Sequence, residues 1–491
     1  MGLDSVGGAL AIHEILSKLG PTDTAAVGCL NKRFRDWAAD ESLWSKFCAD
    51  ELDLSSPQDP LGNPTPTFKV TYQVWREAFG MYPWPLVRRV KRCWGRLKSW
   101  LSANFPEALA TLRKGASEDE IKSLEKSLKV KLPLPTRLLY RFCDGQDLKR
   151  EKVSGHLLGS PLGLMGGYSL YNHLVNVYLL PLHLVIRETK RIVRQVGFSR
   201  KYILVASSTY RQKIFFFNCD DGQLYVGTRN WANEDEMIPC VPKELIRLVP
   251  DFGGSQQQDA MLLWLEEHGH RLHSGVIRLR EEGKIRGINL FPEKAPHCSI
   301  AITNGVKVRA SAVLVPEFCN LQDESEKFCF SYSMRMSLLP EGCCIYGMSF
   351  ASCQLYRRHL IFRANDIVVN DINEEAVIGK VHCFHNWVCA VRQCLCGIDY
   401  GGNKFAYLQF PLLRPGEEEF VYESCTPLSS SSGSVEGCFT FVPGRWHVHL
   451  FSCCTDKSFF FVWFSRLADP KGDPFDVELA RFPLQLPDYI F

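Results

Sequence analysis

Two groups of side chains could hold a metal. His268, His270 and His273 fall within six residues, and His382, Cys383, His385, Cys389, Cys394 and Cys396 form a second group. Imidazole nitrogens and thiolates are the donors zinc takes. Helical spacing sets His270 and His273 on one side, but no cysteine or carboxylate pattern closes a site around them. The polar stretch Glu266–Gly287 therefore reads as a solvated linker helix. In the second group, H-C-x-H and C-x-C spacings differ from the paired C-x-x-C knuckles of zinc motifs. The chain has no G-x-S-x-G, P-loop or H-E-x-x-H, so no catalytic residue, resident metal or cofactor is expected.

Function must then lie in surfaces, and composition bounds which. At 491 residues, 46% apolar and 23% charged, the chain is a globular protein of about three domains. A net charge of +3 implies no nucleic-acid partner. No run of 18 apolar residues is present to span a bilayer. The opening residues carry Asp4 and no basic run, unlike a secretory signal, and Val6 stands where a myristoylation signal has Ser or Thr. Twenty cysteines spread along such a chain read as reduced thiols of the cytoplasm or nucleus.

Residues 9–52 are predicted helical throughout. Ile12, Ile15, Leu16 and Leu19 share helical spacing, and Gly20-Pro21 stops that helix. Thr22 or Asp23 can cap a short second helix, Asn31 a third carrying Phe34 and Trp37, and Asp40 a fourth carrying Leu43, Trp44 and Phe47. Some forty residues cannot bury that much apolar surface. The helices must dock on the rest of the chain or present an interface.

A loop rich in Pro, Asp and Ser, residues 55–67, precedes a basic run from Arg88 to Lys98. Val87, Val90, Trp94, Leu97 and Leu101 align there on one helical face, so an amphipathic helix with solvated cations is expected rather than a nucleic-acid site. Ser117 and Glu120 form a capping box. A helix through Leu128, a second from Pro135, and buried strands at Tyr202, Ile214 and Gly222 give an α+β unit reaching about residue 250. Residues 251–297 then read as a linker. Beyond it, Val306–Pro316 and Phe328–Leu338 alternate as strands. So do Glu418–Glu423 and Gly437–Val442, joined by a flexible Ser/Gly loop.

Three resemblances sit on these words. PGEEEFVYESCTPL…GSVEGCFTF, with Cys353-Gln354-Leu355 and Arg358-His359 upstream, resembles the ApaG domain, which implies an all-β sandwich over 298–491. Two segments interrupt that pattern, 381–410 and 446–465. Both are rich in Cys, His, Trp and Phe. They read either as zinc-binding or as insertions of the kind retained introns leave. The order Ile15-Leu16, Leu19-x-Pro21-x-Asp23, Val27, Phe34, Trp37, Asp40-x-x-Leu43-Trp44 resembles an F-box over residues 1–54, with Ala9-Leu10-Ala11 replacing the usual Leu-Pro opening. Residues 68–250 resemble a SUKH (Smi/Knr-type) domain, a binding module without catalytic chemistry. The whole is similar to plant Skp-interacting F-box proteins.

That resemblance implies a non-catalytic substrate receptor of an SCF-type cullin-RING ubiquitin ligase. Ile12, Ile15, Leu16, Leu19, Pro21, Asp23, Val27, Phe34, Trp37, Leu43 and Trp44 would bind a Skp-type adaptor and, through it, a cullin. The SUKH-like and ApaG-like regions would hold a target protein. An alternative is a sensor whose ApaG domain reads a phosphorylated metabolite. Some ApaG domains carry a G-x-G-x-x-G turn suited to anions, and at the matching place Glu375–Gly379 keeps only Gly379.

Overall fold

Helix α1 (Ala9–Val27) is two helices in one: Gly20 breaks it with φ 81°, a conformation glycine tolerates and other residues avoid. Pro21 restarts it, where a missing N–H is harmless. The chain continues through α2 (Lys32–Trp37), α3 (Glu41–Leu52), α4 (Phe68–Phe79) and α5 (Trp84–Asn104). Coordinates come from a computed structural model that describes residues 9–147, 160–170, 173–249, 256–282, 285–375, 410–444, 448–451, 463–466 and 472–491.

The first three helices dock on the next two. Trp44 packs against Tyr72 with ring centroids 5.5 Å apart, and the Tyr72 hydroxyl donates to Glu51 at 2.5 Å. The five apolar residues expected along α5 are all buried. Its cations are divided: Arg92 and Arg96 are exposed as expected, while Arg89 and Lys91 are half-buried and engaged. Arg89 forks onto Glu266 at 2.8 and 2.7 Å, and Lys91 donates to the carbonyls of Leu52 and Asp53 at 2.7 and 3.0 Å. A basic helix lying across the open carbonyls at the end of α3 satisfies groups that would otherwise lack partners.

Next come α6 (Pro106–Leu109), α7 (Glu118–Leu128) and α8 (Leu134–Phe142), α7 opening with the Ser117–Glu120 capping box. They cover a sheet built from β1 (Gly166–Leu170), β2 (His173–Leu179), β3 (Tyr202–Ser208), β4 (Ile214–Asn218), β5 (Leu224–Val226), β6 (Ile238–Pro239), β7 (Arg278–Glu282) and β8 (Ile285–Asn289). Helix α9 (Leu182–Val196) lies between β2 and β3, and α10 (Ala260–Ser274) between β6 and β7. The strand order is β6-β5-β4-β3-β2-β1-β8-β7. All pairs are antiparallel except β1 with β8, which meet at Gly167 and Asn289.

Residues 251–297 are therefore no linker. Trp264 and Leu265 are buried along with His268, and β7–β8 completes the sheet. Ala260–Leu265 is apolar on every side and needs neighbours all round. The charged residues that follow, several of them paired, gave the stretch its solvated look.

The remaining strands are β9 (Cys298–Thr303), β10 (Val306–Leu314), β11 (Phe328–Leu338), β12 (Cys343–Ile345), β13 (Met348–Phe350), β14 (Cys353–Ala364), β15 (Ile367–Glu375), β16 (Leu412–Leu413), β17 (Phe420–Leu428), β18 (Ser432–Pro443), β19 (Val448–Phe451), β20 (Trp463–Arg466) and β21 (Phe475–Gln485). One sheet runs β17-β11-β10-β9. The other runs β15-β14-β18-β21, with β16 also on β14. Met334, Met336, Leu360, Phe439 and Val477 fill the core of this all-β sandwich.

The two aromatic strands β17 and β18 are not partners in a hairpin. β17 pairs with β11, β18 with β14 and β21, so the chain changes sheets within residues 429–431. The Ser/Gly run is loop only over residues 429–431; from Ser432 it is already β18, where small residues let backbones approach. A Cβ on Gly437 would lie 2.0 Å from the His359 carbonyl oxygen. Most of 381–410 and of 446–465, including the candidate zinc ligands His382–Cys396, lies outside the described residues.

Candidate functional site

The N-terminal helices are held by local chemistry before any tertiary contact. The break at Gly20 frees the Leu16 carbonyl, which accepts from the buried Thr24 hydroxyl at 2.8 Å. Asn31 caps α2 by accepting from the Phe34 N–H at 3.0 Å. Asp40 caps α3, accepting from both the Ser42 hydroxyl and its N–H at 2.6 and 2.8 Å. Those two bonds hold the Asp40 carboxyl below its ordinary range. His13 Nε2 meets the Ser42 hydroxyl at 2.9 Å, which ties α1 to the start of α3.

The expected adaptor-binding residues divide into two sets. Ile12, Leu16, Pro21, Leu43 and Trp44 point inward and are buried. The Trp44 indole N–H donates to the Ala38 carbonyl at 2.7 Å. These five hold the hook together and are closed to a partner. Ile15 and Leu19 are 49% and 43% exposed. They lie four residues apart on the outer shoulder of α1. Asp23 is exposed, and Val27, Phe34 and Trp37 are half-buried. Phe34 meets Trp37 edge-on at 5.2 Å, and the Arg33 guanidinium lies 4.9 Å above the Trp37 ring.

One member of this surface escaped the sequence reading. Leu30, between α1 and α2, is 70% exposed. Its signal was a large apolar residue directly before a helix cap, with no turn of helix to bury it.

Two other candidates fare differently. A cavity of ≈ 520 Å³ lies beside β16, lined by Leu412, Arg414, Glu417, Glu418 and Glu419. Arg414 is engaged by Glu417 at 2.8 Å. Glu419 is likewise paired, with Arg309 and Arg335, so these residues offer a phosphorylated ligand carboxylates and committed cations. The histidines of α10 do not converge: His268 is buried on the Leu164 carbonyl at 2.8 Å, and His273 meets the Arg96 carbonyl at 3.0 Å. No group of three His, Cys, Asp or Glu side chains is placed to hold a metal among the described residues.

Charge also joins the α+β unit to the sandwich. Arg280 of β7 meets Glu293 at 2.7 Å, and Arg309 of β10 meets it at 2.9 Å. Arg309 also forks onto Glu419 at 2.8 and 2.7 Å. Burial alone would raise the Glu293 carboxyl, but Arg280, Arg309 and Arg335 outweigh it and hold it below its ordinary range.

The ApaG domain model (DUF525) matches residues 405–443. The F-box protein SKIP16 of Arabidopsis thaliana is 50% identical over 495 aligned residues, covering 100% of both chains. F-box only protein 3 of Homo sapiens is 23% identical, covering 87% of this chain and 76% of its own. A solved ApaA protein from Bordetella pertussis aligns with 38% of this chain and 98% of its own at 20% identity, with a TM-score of 0.23.

Proposed function

The chain belongs to the F-box protein family, and on that premise we propose that it is the substrate-receptor subunit of an SCF-type cullin-RING ubiquitin ligase. The outer face of α1 and α2 binds a Skp-type adaptor and, through it, a cullin. The α+β unit, which resembles a SUKH domain, and the ApaG sandwich present a target protein. The observation that carries this reading is the open apolar face: Ile15, Leu19 and Leu30 stand exposed beside half-buried Phe34 and Trp37. With the hook capped and braced from within, Ile15, Leu19 and Leu30 gain little from their own fold and are available to a partner.

The mechanism is proximity. The receptor holds a target lysine near the charged ubiquitin carrier and raises its effective concentration, while the chain itself makes and breaks no bond. A target held through two units needs those units fixed to each other, and the Arg280–Glu293–Arg309 network supplies such a joint.

The test is co-purification with a Skp-type adaptor. Ile15→Asp with Leu19→Asp should abolish co-elution while leaving the melting temperature unchanged. Undiminished co-elution by that variant would overturn the assignment. Removing residues 1–52 is a poor control, because it strips Trp44 and Phe47 from the core they share with Tyr72.

A further inference from the structure

After β21 the chain leaves the sandwich and enters the α+β unit. Ile490 is buried there, at 1% exposure. Its N–H donates to the Cys240 carbonyl at 3.1 Å, just past the edge strand β6. Its carbonyl accepts from the Trp264 indole at 2.7 Å. The Phe491 ring lies 4.8 Å from Trp264 and 5.6 Å from His268, with the Arg271 guanidinium 4.3 Å above it. Lys213 Nζ donates to the Phe491 main-chain oxygen.

Lys213 is wholly buried. Its Nζ lies 4.8 Å from the centre of the Tyr168 ring and 3.4 Å from the hydroxyl of that residue. The same hydroxyl donates to the Glu317 carboxylate at 2.8 and 2.9 Å. Glu317 comes from the sandwich, in the loop between β10 and β11. Without the Phe491 oxygen the buried ammonium would keep the Tyr168 hydroxyl at 3.4 Å but lose its closer acceptor, and a buried cation short of acceptors is unfavourable. The cleft is therefore incomplete without what fills it.

This arrangement differs from ordinary side-chain packing. Both main-chain groups of Ile490 are read by fixed partners, and the next side chain enters a pocket of two rings and a cation. Backbone bonds for affinity and a pocket for identity are how proteins hold extended peptides. We propose that the cleft between α10, Cys240 and Lys213 is a binding site for an extended peptide carrying a buried aliphatic residue followed by an aromatic one. Residues 488–491 occupy it in cis and clasp the sandwich to the α+β unit. The assignment does not depend on adaptor binding.

The experiment uses the chain truncated after Pro487 and a synthetic peptide of residues 485–491. Saturable one-to-one binding in calorimetry is expected, with recovery of the melting temperature lost on truncation. A peptide carrying Ile490→Asp and Phe491→Ala should not bind, and Arg271→Ala in the protein should weaken binding about tenfold, as loss of a cation–π contact does. Should the truncated chain fail to fold, refolding with the peptide present decides: restored yield supports the site and unrestored yield overturns it. A folded truncation that ignores the peptide also overturns it, whatever its melting temperature.

Discussion

Helices α1–α2 and the segment 488–491 expose the same kind of chemistry to opposite fates. Each offers aliphatic and aromatic side chains beside an arginine: Leu19, Leu30, Trp37 and Arg33 in one region, Ile490, Phe491 and Arg271 in the other. In the first, Arg33 covers one face of Trp37 and nothing in the described residues covers Leu30. In the second, Trp264, His268 and Arg271 flank the half-buried Phe491 and Ile490 is shut away. The difference is whether the chain supplies its own partner. An apolar residue left open after caps and core are satisfied marks a surface for another molecule. One that is enclosed marks a joint.

The comparison is broken most forcefully inside the hook itself. Trp44→Ala removes a buried ring and its indole hydrogen bond and should cost about 3–5 kcal/mol in denaturant unfolding. Leu30→Ser, on the open side, should leave unfolding within about 0.5 kcal/mol of the parent, as surface substitutions do, and weaken only adaptor capture. If Leu30→Ser destabilised the chain as Trp44→Ala does, the open face would be a packed one.

A smaller effect singles out the enclosed region, because its helix α10 carries buried titratable groups. Burial pushes the Asp259 carboxyl up to about 6, against the N–H bonds from Leu262 and Thr136 and the nearby Arg89. Burial drives the His268 imidazole down to about 4, aided by Arg271 and opposed by the Leu164 carbonyl. A raised acid favours the fold below its unfolded value of 3.8, and that stability is lost as pH rises through about 6. A depressed histidine favours the fold above 6.5, and that stability is lost as pH falls through about 4. Each is worth about 3 kcal/mol, with opposite signs in one window. Contributions from these two groups should nearly cancel between pH 4 and 6. Asp259→Asn should unmask a loss of stability on acidification, and His268→Gln a gain. Parallel pH profiles for the two variants would remove both groups from the account.

How legible all this was in the sequence depends on the range of the interaction. Caps at Asn31, Asp40 and Ser117 and the break at Gly20-Pro21 are local, and spacing revealed them. So did the buried face of α5. The F-box spacing marked helices that do form but merged core with surface, since Ile15 and Leu16 are neighbours in sequence and differ only in what lies opposite. Non-local pairing was beyond reach. Nothing local tells that β17 and β18 belong to different sheets. Nor does anything local tell that α10 waits for Phe491 or that Arg89 is committed to Glu266.

The smallest effect concerns segments that belong to neither fate. Glu375 closes β15 opposite Arg357, and Leu412 opens β16 opposite Gln354. Both pair with the edge of β14 that faces away from β18, about 10 Å apart at a strand's rise per residue. On the other side, β18 ends where β21 begins: Phe441 faces Phe475, and a Cβ on Gly472 would lie 3.2 Å from the Pro443 ring. The ends of both interruptions are thus brought close by the sandwich itself. Deleting 381–410 leaves six residues to cross the first gap, enough for about 20 Å of extended chain. The strands that hold the gap pair with one another, and the deletion costs β14 the hydrogen bond from the Gln354 side chain to the Phe410 carbonyl at 2.9 Å. We therefore expect a chain lacking 381–410 and 446–465 to melt no lower than the parent and to keep adaptor co-elution. A fall in Tm of more than about 4 °C, roughly 1 kcal/mol for a domain of this size, would show that these segments brace the sandwich. They would then rank with the clasp as joints.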